Sequence, residues 1–98
     1  MSLPLALRPE AQAEFDHAVD WYEERRVGLG AEFIEHVEQI LKQICATPER
    51  FPRVFRDVRQ AVVRRFPYAV YYKVEGSKIV VIAVFHGKRD PSIWRERT

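Results

Sequence analysis

Ala11, Phe15, Ala18 and Tyr22 recur at spacings of 4, 3 and 4, the repeat that aligns side chains along one face of an α-helix. Pro9 suits the first helical position, and Glu10, Glu14 and Asp16 place negative charge towards the positive end of the helix dipole. This first helix is expected to end near Arg26. "VGLG", Val27 to Gly30, supplies two glycines for a reversal, and Phe33, Val37, Ile40 or Leu41, and Ile44 then mark a second amphipathic helix that stops before Pro48. Leu3 to Arg8 reads as a short strand ahead of this αα-hairpin. Residues 47–57, "TPERFPRVFRD", contain two prolines and are predicted to be irregular. Three strands follow, Val58 to Phe66, Tyr68 to Glu75 and Lys78 to His86. "EGSK" between the last two fits a two-residue hairpin, because Gly76 accepts the positive φ that its first central position demands.

In the last strand both alternating sets are apolar: Val80, Ile82 and Val84 on one side, Ile79, Val81, Ala83 and Phe85 on the other. Such a strand is covered on both faces and belongs near the middle of the sheet. Pro67 has no N–H for a ladder and is expected at a bulge or an edge. The predicted order is β-α-α-β-β-β, an α+β fold in which a small, antiparallel-rich sheet packs against the αα-hairpin, as one domain over residues 1–98.

A chain of 98 residues, 47% hydrophobic and 31% charged, has the makings of one modest core. "MSLPLAL" lacks a basic leader and meets Arg8 at once, and no stretch approaches the roughly 18 apolar residues of a membrane span. A cytoplasmic protein without membrane contact is expected. The single cysteine, Cys45, can form no internal disulfide and falls in a helical apolar pattern, which predicts a buried structural thiol. Three scattered histidines and one cysteine offer no metal-ligand spacing, so neither a metal nor another cofactor is expected.

The net charge of +2 conceals a division. Up to Glu49 there are 4 Lys+Arg against 10 Asp+Glu, a balance of −6; from Arg50 onwards there are 12 against 4, a balance of +8. A basic face of this kind attracts nucleic acid or an acidic partner.

Candidate chemistry gathers where the last strand leaves the core, at "HGKRD", His86 to Asp90. His86 can transfer protons near neutral pH, and Arg59, Arg65, Lys88, Arg89 and Arg97 are candidates to hold a phosphate or carboxylate. Metal-free RNA cleavage requires little more than a base for the 2′-hydroxyl, an acid for the leaving oxygen and guanidinium groups for the transition-state charge. His86, Arg65 and Arg89 are the catalytic candidates for that reaction. The same residues equally describe a strand end with a local turn, Asp90 pairing with Arg89. Tyr68, Tyr71 and Tyr72 suit a covered sheet face better than base stacking.

The helical "AEFDHAVDWYEERRVGLGAEFIEHVE", the linker "PERFPRV" and "VVRRFPYAVYYKVEGSKIVVIAVFHGKRDPSIWRER" together resemble the RelE/ParE superfamily, the toxins of bacterial type II toxin-antitoxin pairs. The resemblance implies a cognate antitoxin that wraps the toxin, adding a strand or filling a groove, within a hetero-oligomer or alongside a toxin homodimer. It also implies one of two activities. RelE-like members cleave mRNA in the ribosomal A site with arginines and lysines on the sheet and, in several, a tyrosine near the C-terminus. ParE-like members poison DNA gyrase and cleave nothing themselves. The "HG-x-RD" of His86 to Asp90 is similar to the ParE branch, and the tail carries Trp94, Arg95 and Arg97 but no tyrosine after Tyr72. A gyrase poison is therefore expected, with ribosome-dependent mRNA cleavage as the alternative. Arg59, Arg64, Lys88, Asp90, Trp94 and Arg97 are the residues expected to bind partner or nucleic acid.

Overall fold

The computed structural model describes residues 2–98; Met1, the first residue of the expected 1–98 domain, lies outside them. The chain runs β1 (Leu5–Leu7), α1 (Pro9–Arg25), α2 (Leu29–Ala46), a short 3-10 turn (Pro48–Arg50), β2 (Arg53–Phe55), β3 (Val58–Val62), β4 (Tyr68–Glu75), β5 (Lys78–His86) and α3 (Ser92–Arg95). The five strands form one sheet in the order β1-β5-β4-β3-β2. β1 runs parallel to β5 and every other pair is antiparallel. The α+β architecture matches expectation, with one strand and one short helix more than predicted.

The hairpin forms where the spacing placed it. Phe33, Val37, Ile40 and Ile44 are all buried on α2, facing Ala11, Ala18 and Tyr22 of α1 and the sheet. At the reversal the Glu23 carboxylate accepts the Gly28 and Gly30 N–H groups, each bond 3.0–3.1 Å long, capping α2 from the neighbouring helix. Gly30 permits the close crossing, since a Cβ there would lie 2.9 Å from the Val19 carbonyl oxygen. Gly76 takes φ +62 between the paired Glu75 and Lys78, as the turn requires.

Three expectations need correction. The segment 47–57 is not wholly irregular: Arg53–Phe55 pairs with β3 as the outermost strand, held in part by the Arg59 side chain, which donates to the Glu49 and Phe51 carbonyls at 3.1 and 2.6 Å. The next strand ends at Val62 rather than Phe66, because residues 63–67 form a turn in which Arg65 adopts φ +69. Cys45 is only half-buried, since its helix turns that position towards the packed segment's border.

The bulge is also displaced from Pro67. Tyr71 pairs with Ala83 and Tyr72 with Val81, leaving Ile82 with no β4 partner of its own. The extra residue inverts the side-chain alternation that follows. Ile79, Val81 and Val84 face the helical hairpin, whereas Ile82, Ala83 and Phe85 join Val58, Tyr71 and Trp94 on the opposite face. Both faces of β5 are therefore covered, one by α1 and α2 and the other by Phe55 and α3.

Candidate functional site

The bulge decides where His86 points. Strict alternation would send it to the α3 side; instead it pairs with Tyr68 and lines a cleft of about 750 Å³ between α1 and the ends of β4 and β5. Glu14, His17, Trp21 and Tyr22 form the α1 wall, and Pro67, Tyr68, Val84, His86 and Arg89 the sheet wall. Tyr68 and His86 stand edge to face with ring centroids 5.1 Å apart. Trp21 is 43% exposed at the mouth, with the Arg25 guanidinium 3.9 Å above its ring. Aromatic walls with a few fixed polar groups are the usual make-up of a binding cleft.

The polar groups of the cleft are mostly hydrogen-bond donors. The His86 Nδ1 accepts the Lys88 backbone N–H at 3.0 Å, so the neutral imidazole carries its proton on Nε2 and presents a donor to the cleft. Burial pushes the Tyr68 phenol upward, against the opposing pull of Arg89, and burial together with Tyr68 does the same to Tyr22. Both phenols remain protonated donors. Arg89 stacks 4.3 Å from the Phe85 ring and reaches Glu14 at 3.6 Å while staying half exposed. Among the described residues, no three His, Cys, Asp or Glu side chains gather in a metal-binding group.

The predicted site residues divide. His86 and Arg89 come together, in the cleft and again at a pocket of about 230 Å³ on the α3 side, where Arg95 joins them. Lys88 is exposed beside them. Arg64 and Arg65 are exposed in the 63–67 turn and line neither cavity; that turn touches the site through Pro67, whose carbonyl accepts the Gly87 N–H at 2.8 Å. The other four are engaged internally. Arg59 holds the segment before β2. Asp90 accepts the Ser92 N–H at 2.9 Å instead of pairing with Arg89, and its hydrogen bonds with Ser92 pull its carboxyl below the usual range. Trp94 is 2% exposed, stacked on Tyr71 at 4.2 Å. Arg97 donates to both Glu14 carboxylate oxygens and to the Ile82 carbonyl.

Glu14, His17, Trp21 and Tyr68 join the site in addition to the residues expected there. A signal existed on α1: Glu14, His17 and Trp21 follow one another at spacings of 3 and 4, a polar-aromatic stripe beside the apolar one.

Residues 5–91 match the family described as the ParE toxin of type II toxin-antitoxin system, parDE. Among curated proteins, no sequence relative matches the chain. Solved structures share the fold, among them the following two. One, from the chromosomal ParDE TA system of P. aeruginosa, superposes with a TM-score of 0.74 at 18% identity, covering 87% of this chain and 96% of its own. The other, a mutant of the E. coli toxin RelE in the free state, superposes with a TM-score of 0.71 at 19% identity, covering 98% and 93%.

Proposed function

This chain belongs to the ParE toxin family of type II toxin-antitoxin systems, and from that premise we propose that it inhibits growth in the cytoplasm by gripping DNA gyrase, and that a cognate antitoxin neutralises it. The observation that carries this reading is the His86 hydrogen bond. With Nδ1 occupied by the Lys88 N–H, the ring offers a donor where a nuclease needs a base. Two further features agree. Tyr68 and Tyr22, the phenols of the cleft, are raised above their ordinary range by burial and so do not supply a base in place of His86. Arg65 stands in another turn, away from both cavities.

The antitoxin is assigned to the α1–β5 cleft. Its aromatic wall takes apolar side chains, and Arg89 with the His86 Nε2–H takes a carboxylate, so the complementary segment is apolar and acidic. The test is gyrase supercoiling with the purified chain, alone and premixed with the product of the adjacent gene. Inhibition with trapped cleaved DNA, relieved by the partner, is expected; undisturbed supercoiling at large molar excess removes the gyrase assignment.

Ribosome-dependent mRNA cleavage keeps one observation in its favour. His86, Arg89 and Arg95 converge on the pocket of the α3 face, a cation-rich surface suited to a phosphate. Mapping mRNA 5′ ends in a translating extract separates the two activities: cuts confined to translated message establish the nuclease, and intact message leaves gyrase.

A further inference from the structure

We propose that the free edge of the sheet, β2 with the turns at either end of β3, binds the phosphodiester backbone of a nucleic-acid duplex. Between residues 49 and 65 the chain carries six arginines, no lysine, and two carboxylates, Glu49 and Asp57. Arg59 is occupied in holding the segment together. The remaining five, Arg50, Arg53, Arg56, Arg64 and Arg65, are all exposed, and among the described residues none is in an ion pair. Elsewhere Arg8, Arg26, Arg89 and Arg97 each have a carboxylate partner.

The arrangement is linear. β2 is the last strand of the sheet, Arg56 sits in the two-residue turn between β2 and β3, and Arg64 and Arg65 sit in the turn beyond Val62. The Gln60 N–H bonds to the Pro52 carbonyl, which brings the Arg50–Arg53 end of the segment alongside the later part of β3. Five residues of strand extend about 16 Å, and a duplex presents one phosphate per strand about every 3.4 Å of its axis. The edge therefore matches about five phosphates in length.

Two of these arginines occupy backbone positions that glycine would fill without strain. Arg56 has φ +53 at the first central position of its turn and Arg65 has φ +69. A guanidinium placed there at a conformational cost points to a use for the side chain at the tip. Planar five-donor groups also suit phosphate better than ammonium does. The cavity that borders the strip at Val54 and Gln60 holds only about 230 Å³, small for the side chains of a folded peptide, and Val62 lies 60% exposed on the sheet. This surface is separate from the α1–β5 cleft, and its occupancy does not depend on the gyrase assignment.

The experiment is fluorescence anisotropy of labelled duplexes of about 20 base pairs, one DNA and one RNA, titrated with the full chain between about 50 and 200 mM salt. A duplex that engages all five arginines is expected to give a log–log salt slope of about −4.5. The double variant Arg56→Gly/Arg65→Gly, whose glycines suit the positive φ, is expected to fold as the parent does, to bind about tenfold more weakly and to flatten the slope by about 2. Arg53→Glu, at an unstrained position, is expected to weaken binding as well. Binding by either duplex supports the proposal, and their ranking identifies the source of the phosphates. A flat salt response, parental affinity in the variants, or equal binding of an oligoglutamate of matched charge overturns it, the last pointing to an acidic protein segment instead.

Discussion

Glu14 and Arg97, 83 residues apart, meet in a two-pronged ion pair, Nη1 to Oε1 at 3.1 Å and Nη2 to Oε2 at 2.9 Å. The pair closes the molecule at a particular weakness. β1 ends at Leu7, so the outer edge of β5 beyond Val81 loses its strand neighbour. Glu14 accepts the Val84 N–H and Arg97 donates to the Ile82 carbonyl, satisfying two ladder groups with side chains. Arg8 in turn donates to the Arg97 carbonyl at 2.6 Å.

Removing Arg97 thus leaves a largely buried carboxylate with the more distant Arg89 as its cation and the Val84 N–H as its hydrogen-bond donor. Arg97→Ala is expected to lower stability by about 2–3 kcal/mol in urea denaturation. Arg97→Lys, which keeps the charge but loses the fork, should recover part of that. If the alanine variant unfolds at the parental urea midpoint, the pair carries no stability.

Ile40 lies in the core between α2 and the sheet, 7% exposed. Ile40→Asp buries a charge without a partner, for which a loss of about 3–5 kcal/mol is expected. A chemical denaturation curve close to that of the parent would refute the packing of this face.

Gly30→Ala tests the helix crossing. The added methyl meets the Val19 carbonyl oxygen and the Glu23 side chain, so α1 and α2 must separate, at a cost of about 1–3 kcal/mol. Thermal unfolding reads this directly, and an unchanged midpoint would show that the helices can shift without penalty.

Tyr72 gives an alkaline signature. Burial pushes its phenol up to about 12 from an ordinary 10.0, despite Arg59 pulling it down, and its hydroxyl donates to the Pro48 carbonyl. A group whose pKa is raised on folding contributes stability that is complete below its unfolded value and disappears as pH climbs through the folded one. The contribution of Tyr72 is therefore expected to vanish between about pH 10 and pH 12. In Tyr72→Phe, that part of the stability–pH curve should flatten, measured by urea midpoints across the range. A curve of unchanged slope would dissociate Tyr72 from alkaline unfolding.

His86→Ala distinguishes a grip from a base. With Nδ1 engaged by Lys88, the side chain contributes a donor and a ring face, so partner affinity is expected to drop by about tenfold, the size of one hydrogen bond and an aromatic contact. His86→Gln, which retains a donor, should recover part of it. Calorimetry with the antitoxin is the measurement, and equal binding by all three proteins would remove His86 from the interface.

Local pattern by itself determined a good deal of this protein. The 3.6-residue repeats of α1 and α2, the two-residue turn at Gly76 and the apolar run of β5 each follow from the chemistry of neighbouring residues, and each stands where that chemistry puts it. The family likeness too was carried by the order of its segments. Tertiary structure alone decided the site. A bulge at Ile82 turns His86 to the hairpin side, and no residue near it signals the extra position, because every side chain from Ile79 to Phe85 is apolar and suits either face. Glu14 and Arg97 have ordinary polar sequence surroundings and acquire their roles only when β1 ends early and exposes the β5 edge to them. Trp94 became an internal fixture because the Tyr71 ring it stacks on, 23 residues back, comes near only in the folded sheet, whereas Arg59 is held by carbonyls only 8 and 10 residues away, which the turn between β2 and β3 folds back onto it.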